Sequence, residues 1–296
     1  MSKKNIHFII NPVSGTGKQE NILKKIEKEI DAQIFDTHIH YTERENQATE
    51  IAKKLCSNEA NVIVAVGGDG TVNEVSQALV NSNCVLGIIP TGSGNGLARH
   101  LGIPQNVNKA LRLLNTLNAR KIDSCTANGE FFINVSGMGY DGHIAHRFAE
   151  KRKRGMKTYL KLILSEWWRY SAKKYQIEID GKCVFKDKAV LISFANGTQF
   201  GNNIIISPES IEDDGIIELC ILKPFRFYEI PHLLLDLATR RLHLNKRMEI
   251  ISCSQATIKS KYAKTHLDGE PKVLGDCLEL KVHPESINVI GSRNYE

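Results

Sequence analysis

No stretch of this 296-residue sequence stays apolar for long. The runs Val62–Val66 and Leu233–Leu235 fall far short of the ~20 residues that a membrane span needs. Near the start only Phe8–Ile10 run on without a polar residue. That is too short for a secretory h-region, so the expectation is a protein made and kept in the cytoplasm. Cysteine is sparse and scattered: the seven residues make an odd number with no CxxC pair, which argues against a disulfide framework and against zinc. Repeats, low-complexity tracts and a flexible linker are also lacking. With 42% hydrophobic and 24% charged residues the composition is that of a globular protein, which excludes disorder and collagen. At ~100–200 residues per domain the length predicts one large or two ordinary domains.

The charge is uneven. Between His146 and Tyr175 ten Lys and Arg face only Glu150 and Glu166, a local +8; the whole chain is +6, so the remainder is −2. A basic excess confined to one segment predicts an anionic partner. The same segment carries Met156, Tyr159, Leu160, Leu162, Ile163, Leu164, Trp167 and Trp168. Basic residues mixed with Trp suit an anionic membrane surface. No nucleic-acid module accompanies the run, so no nucleic-acid partner is expected. A second, weaker mixture of the same kind occupies Phe225–Arg247.

The first 125 residues alternate apolar strands (6–10, 33–41, 62–66, 85–89) with amphipathic helices (19–30, 46–56, 72–80, 97–101, 107–117). Repeated βαβ units predict a parallel sheet with helices on both faces, whose ligands bind at the carboxyl ends of the strands. After Lys121 the pattern changes. Asn128-Gly129 and Asp180-Gly181 each sit between short apolar runs, as in hairpins. Strands follow at 189–195, 216–222, 256–261 and 277–282, interrupted by helical segments around 146–175 and 225–244. The expected architecture is an α/β domain over 1–125, with the tail 284–296 available to complete it. A mainly antiparallel β-sandwich follows over 126–283, and a cleft is expected between the two.

Glycine is concentrated at strand ends. Gly67-Gly68-Asp69-Gly70-Thr71 follows one strand and opens a helix. Glycines admit a phosphate close to the backbone, and a helix N-terminus offers free N–H groups. An Asp among phosphates makes sense if it engages Mg²⁺ or the acceptor hydroxyl. Pro90-Thr91-Gly92-Ser93-Gly94-Asn95-Gly96 repeats the arrangement after the next strand. Asn11–Lys18 follows the first strand. It is neither a P-loop, since Pro12 and Gln19 occupy required positions, nor a dinucleotide fingerprint, since Glu20 replaces the last glycine. Two acidic stretches remain. Glu212-Asp213-Asp214-Gly215 suits a divalent ion or a solvated loop, and Asp268-Gly269-Glu270 reads first as a hairpin turn.

Together, Asn11–Gly15, Gly67–Glu74, Pro90–Arg99, Asp213–Gly215 and Asp268–Glu270 resemble the diacylglycerol kinase catalytic family, which includes bacterial diacylglycerol kinases and sphingosine kinases. The motifs stand in the family's order over roughly residues 5–282. The resemblance implies a two-domain lipid kinase that uses ATP and Mg²⁺ to phosphorylate diacylglycerol or a sphingoid base. The enzyme would lie peripherally at the inner face of the membrane, with homodimerisation left open. It implies that Asn11, Pro12, Val13, Ser14, Gly15 and Thr42 line the nucleotide site. Gly67, Gly68, Asp69, Gly70, Thr71, Asn73 and Glu74 would hold phosphates and ribose, with Ser93 in the second phosphate loop. Glu270 matches the general base of the bacterial enzymes, with Asp268 beside it at the substrate. Asp123 matches an Asp of their metal network, and Ile211, Asp214 and Ile216 match a structural Mg²⁺ site. Asp69 matches the base of sphingosine kinases, and Asp141 an Asp near their substrate's amino group. One departure is Gly96, where the bacterial enzymes carry Asp. Alternatives are a soluble-substrate kinase such as NAD kinase, which shares Gly-Gly-Asp-Gly, and a catalytically weak lipid- or nucleotide-binding regulator.

Overall fold

The structure, a computed structural model, describes residues 3–14, 20–58, 60–151 and 156–291. The chain forms two compact units: Met1–Ile122 with Glu285–Glu296, and Asp123–Pro284.

In the first unit the elements are β1 (Lys4–Ile10), α1 (Glu20–Glu29), β2 (Phe35–Tyr41), α2 (Gln47–Ser57), β3 (Val62–Gly67), α3 (Asp69–Leu79), β4 (Val85–Pro90), α4 (Gly96–His100) and α5 (Val107–Leu114). The strands pair in parallel in the order β2-β1-β3-β4. Residues Asn288 and Val289 of the returning chain add a parallel pairing to Val85 and Leu86. Every residue of β3 is buried, as a central parallel strand covered on both faces must be. Helices α2 and α3 pack together, and so do α1 and α5, where Arg112 Nε donates to Glu29 Oε2 at 2.6 Å. Strand order reverses between β1 and β3, the place in such a sheet where ligands bind at the carboxyl edge.

The second unit begins with β5 (Ala119–Ala127), whose first residues belong to the unit before, and continues through β6 (Glu130–Phe132), β7 (Val135–Gly139), α6 (Tyr140–Ala149), α7 (Met156–Trp167), β8 (Lys173–Ile179), β9 (Lys182–Ala189), β10 (Leu191–Ala195), β11 (Ile217–Leu222), α8 (Ile230–Ala238), β12 (Met248–Cys253), β13 (Gln255–Lys259), β14 (Lys264–Leu267), β15 (Glu270–Val273) and β16 (Cys277–Ile290). One antiparallel sheet runs β12-β11-β10-β7-β14-β15, and the opposing antiparallel strands run β16-β13-β8-β9. Their facing side chains, among them Phe194, Leu219 and Leu267 against Ile177, Ile258 and Leu278, form one core. Cys220 and Leu222, one step out of phase on β11, face a second core under α6, α7 and α8. This is the expected sandwich, with one sheet carrying helices on its outer face.

The Asn128-Gly129, Asp180-Gly181 and Asp268-Gly269 pairs all form two-residue hairpin turns, with both central residues at positive φ. Helix α3 starts at Asp69, three residues before the expected Val72. Gly68 is its N-cap, and a carboxylate in the first turn favours the helix dipole, a signal that apolar periodicity does not carry. Strands β12, β14 and β15 were not expected. The last two are four residues long, and β15 is a sheet edge containing Pro271, so neither shows a clean alternation.

Candidate active site

In the first unit three loops are tied together at the carboxyl ends of β1, β3 and β4. Asn11 Nδ2 donates to Thr71 Oγ1 at 3.2 Å, and the Ser14 and Thr91 hydroxyls meet at 3.2 Å. The Thr91 amide donates to Gly67 O at 2.9 Å, and the Gly92 amide to the same oxygen at 3.3 Å. A Cβ on Gly92 would stand 2.5 Å from Gly68 Cα, so the Gly67 and Pro90 loops approach as only glycines allow. Asp69 completes the junction: its Oδ2 accepts from the Asn95 amide at 2.8 Å and its Oδ1 from the Gly96 amide at 2.7 Å. Burial pushes its carboxyl pKa up, and the Gly96 and Asn95 amides partly offset that. Each oxygen of the carboxylate thus accepts one backbone amide of the loop after β4. Asn95, in the left-handed region at φ 53°, donates from Nδ2 to Gly92 O at 2.9 Å and to Gln105 Oε1 at 3.0 Å, fixing the second loop from below. The first-turn amides of α3 have no intrahelical acceptor, and an N-terminus with free N–H groups attracts phosphate.

The other expected nucleotide residues take up varied positions. Pro12 and Val13 are exposed, Asn11 and Ser14 half-buried, and Gly15 lies outside the described residues. Ser93 is exposed and Asn73 half-buried. Thr42 is buried, its amide donating to Ile10 O at 3.0 Å. Glu74 Oε2 accepts from the Ala48 amide in the first turn of α2 at 3.0 Å.

In the second unit one hydrogen-bond network links Asp123, the acidic loop and Asp268, with Glu270 and Asp141 outside it. Asp123, fully buried, takes the Gly215 amide on Oδ2 at 2.6 Å, and its own amide donates to Glu212 O at 2.7 Å. It therefore clasps the acidic loop of Ile211, Asp214 and Ile216. Asp214 Oδ1 accepts from the Ile216 amide at 2.9 Å, and burial together with Asp213 and Glu212 raises its pKa. Asn196 Nδ2 bridges Asp123 O at 3.2 Å and Ile133 O at 2.9 Å. The amides of Ile133 and Asn134 in turn donate to the two carboxylate oxygens of Asp268, each at 2.9 Å. Glu270 opens β15 directly after this turn. It is exposed, and among the described residues its carboxylate has no hydrogen bond or ion pair. Asp141 is buried: Oδ1 accepts from the Gly142 amide at 2.8 Å, and Oδ2 from Ser193 Oγ at 3.2 Å.

A resident Mg²⁺ can be tested against this donor set. Among the described residues no group of three or more His, Cys, Asp or Glu stands ready to hold a metal. Loop 211–216 does offer hard oxygens, with a crowded Asp214 that a cation would relieve, so its chemistry fits Mg²⁺ through main-chain oxygens plus Asp214.

Sequence reasoning passed over Thr91, Asn196, Ser193 and His266, which tie the named residues together. Thr91 lies inside the Pro90–Gly96 glycine loop. Asn196 and Ser193 carry no spacing signal because their partners are distant in sequence, and the distant partner of His266, Asp141, is equally unannounced.

Residues 5–127 match the diacylglycerol kinase catalytic domain family, and residues 134–291 match the YegS C-terminal NAD kinase beta sandwich-like domain. The chain is 30% identical to a diacylglycerol kinase of Bacillus subtilis (strain 168) over 275 residues, 90% of each chain. It is 28% identical to a probable lipid kinase YegS-like of Klebsiella pneumoniae (strain 342), covering 93% of each. Among solved structures, a diacylglycerol kinase from Bacillus anthracis superposes with a TM-score of 0.75 at 23% identity, over 99% of this chain and 98% of that one. An NAD kinase from Archaeoglobus fulgidus reaches 0.53 at 14% identity over 97% and 94%, a likeness of fold alone.

Proposed function

This chain belongs to the diacylglycerol kinase catalytic family, and from that premise we propose that it transfers the γ-phosphoryl group of ATP to the hydroxyl of diacylglycerol at a membrane surface. The observation that carries this reading is the knot of three glycine-rich loops around the N-terminus of α3, held by Asn11–Thr71, Ser14–Thr91 and Asp69–Asn95–Gly96. Preset amides at a helix start are what phosphoryl transfer asks of a protein, because its catalysis is chiefly positioning and charge stabilisation. Mg²⁺, when bound, neutralises phosphate charge; Asp214 with the main-chain oxygens of Ile211 and Ile216 would hold a structural ion. Glu270, exposed and unpaired, takes the proton of the acceptor hydroxyl. Diacylglycerol is favoured over a sphingoid base by the names of the relatives and by Asp141. Its carboxylate is buried against Gly142 and Ser193 and so does not await an amine. Incubation with radiolabelled ATP and diacylglycerol, sphinganine, ceramide or NAD should label diacylglycerol. Label on NAD with none on any lipid would reject the proposal.

An insoluble acceptor requires docking on the bilayer, and we assign that to one aromatic edge of the second unit. Of the apolar residues in the basic segment, Leu162 is buried, and Tyr159, Ile163 and Trp167 pack on the core, Trp167 stacking on Phe225 at 4.9 Å. Trp168 is 70% exposed and meets Phe227, 68% exposed, at 5.4 Å. The two segments with mixed basic and aromatic residues therefore meet at this pair. Leu164 and Tyr228 are exposed as well, as are Lys161, Arg169 and Arg226. Arg147 is spent on Glu150 and Glu166, and Arg152–Arg154 lie outside the described residues. Among the described residues no helix is long and apolar enough to cross a membrane. Exposed rings at headgroup depth beside cations suit peripheral binding to anionic lipid. The paired change Trp168→Ser with Phe227→Ser should weaken sedimentation with phosphatidylglycerol vesicles by at least ~10-fold, since each buried ring contributes ~1.5–3 kcal/mol. Binding should also fall with salt as the Debye length shrinks to ~8–10 Å. Unchanged sedimentation would make this edge structural.

A further inference from the structure

His266 stands between the buried Asp141 and the backbone of the Asp268-Gly269 turn. It lies on β14, two residues before the Asp268-Gly269 turn, and is buried. Its Nδ1 stands 3.2 Å from the Gly269 amide nitrogen, and its Nε2 stands 3.4 Å from Asp141 Oδ2. An amide N–H can only donate, so Nδ1 is the acceptor and carries no proton. The neutral ring must then hold its proton on Nε2, facing the carboxylate. Gly137, the β7 partner of His266, makes this approach feasible: a side chain there would occupy the space of Asp141 Oδ2. Ser193 holds the same oxygen from β10.

Accepting the kinase reading above, with Glu270 as its base, we propose that His266 is a positioning residue for Glu270. Asp141 sets the tautomer of His266. The bare Nδ1 holds the Gly269 amide, and that amide fixes the turn from which Glu270 emerges. On the other side of the turn Asp268 is pinned by the amides of Ile133 and Asn134, and its own amide donates to Ser136 Oγ at 3.0 Å. The backbone that carries the exposed Glu270 is thus clamped on both flanks, one clamp running through an imidazole whose orientation depends on a buried carboxylate.

Three variants of the full-length chain separate this role from simple packing. Asn can place Oδ1 where Nδ1 stood, so His266→Asn keeps an acceptor for Gly269. His266→Ala removes it. Misplacing a reacting group by about 1 Å costs ~10²-fold. His266→Ala should therefore lower kcat by ~10–100-fold with KM for ATP unchanged, and His266→Asn should recover most of the loss. Nitrogen-15 NMR of the wild type, on the alkaline side of an ordinary imidazole, should show His266 protonated on Nε2. In Asp141→Asn that preference should weaken and exchange of the Gly269 amide should quicken. The spectroscopic arm needs no turnover, so a chain with no kinase activity would defeat the function proposed above while leaving the clamp testable. An Nδ1-protonated ring in the wild type, an alanine variant within twofold of wild-type kcat, or an Asn variant no better than Ala would each overturn the proposal.

Discussion

Glu270→Gln is expected to lower kcat by ~10²–10⁴-fold while KM for ATP stays nearly constant, the usual weight of a general base. That range corresponds to about 3–5 kcal/mol of transition-state stabilisation. Glutamine preserves the shape of the side chain and the pairing of Glu270 with Leu267 that closes the hairpin. The variant should therefore fold as the wild type does. What it loses is the capacity to accept a proton. Most carboxylates near Glu270 in the fold are occupied: Asp268 by two amides, Asp123 by the Gly215 amide, and Asp141 by Gly142 and Ser193. Glu270 stands apart in being exposed and, among the described residues, unpaired. A lipid hydroxyl is a poor nucleophile until its proton has somewhere to go, and this side chain is an exposed, unpaired acceptor, among the described residues, beside the Asp268 turn. Should the loss fall on the KM for ATP with kcat unchanged, Glu270 would be a nucleotide ligand, and the base would have to be sought at Asp69.

The sequence carried the parts of this fold whose causes are local. Val62–Gly67 is legible because a strand covered on both faces leaves an uninterrupted apolar run. The hairpins at Asn128-Gly129 and Asp180-Gly181 are legible because these residues tolerate positive φ cheaply. Asp268-Gly269 obeys the same rule, yet its flanking strands escaped notice because Pro271 and the lysines blur the period of two. The glycine loops could be seen one at a time, and the parallel order explains why they meet. What holds them together could not be seen. Ser14 touches Thr91 across 77 positions of sequence, and Asn196 reaches back 73 to Asp123. Such bonds depend on register, and no residue in isolation announces its register. The aromatic edge was half legible. Composition marked both Trp167 and Trp168, but only the placement of α7 decides that one lies inward and the other outward. Glu74 stands within the Gly67–Glu74 motif, and its reach to the Ala48 amide of α2 was equally invisible in the sequence.

Asp69→Asn should reduce kcat by more than ~10²-fold, the cost of misplacing a reacting group by about 1 Å, with the chain remaining folded. The reason differs from that of an ordinary catalytic acid. Both oxygens of Asp69 accept amide hydrogens, from Asn95 at 2.8 Å and from Gly96 at 2.7 Å. Asparagine replaces one acceptor with an NH₂ group that must face one of those amides donor to donor. Leaving a buried amide unpaired costs ~1–3 kcal/mol, so the second glycine loop should swing out of register with the first. The fold survives because Thr91 and Gly92 still donate to Gly67 O, and the sheet beneath is untouched. A loosened loop misplaces the phosphates, so both kcat and the KM for ATP should suffer, in contrast to Glu270→Gln. The wild type adds a pH signature. Burial raises the pKa of Asp69, and its protonated form offers one acceptor fewer to the loop amides. The inactive form is the protonated one, so activity is intact above that raised pKa and is lost as pH falls through it. The acid limb of kcat/KM should therefore lie above the ordinary aspartate range, and Asp69→Asn should lack it in its residual activity. A variant that keeps a tenth or more of wild-type kcat, with the acid limb unmoved, would remove Asp69 from any essential part in joining the loops.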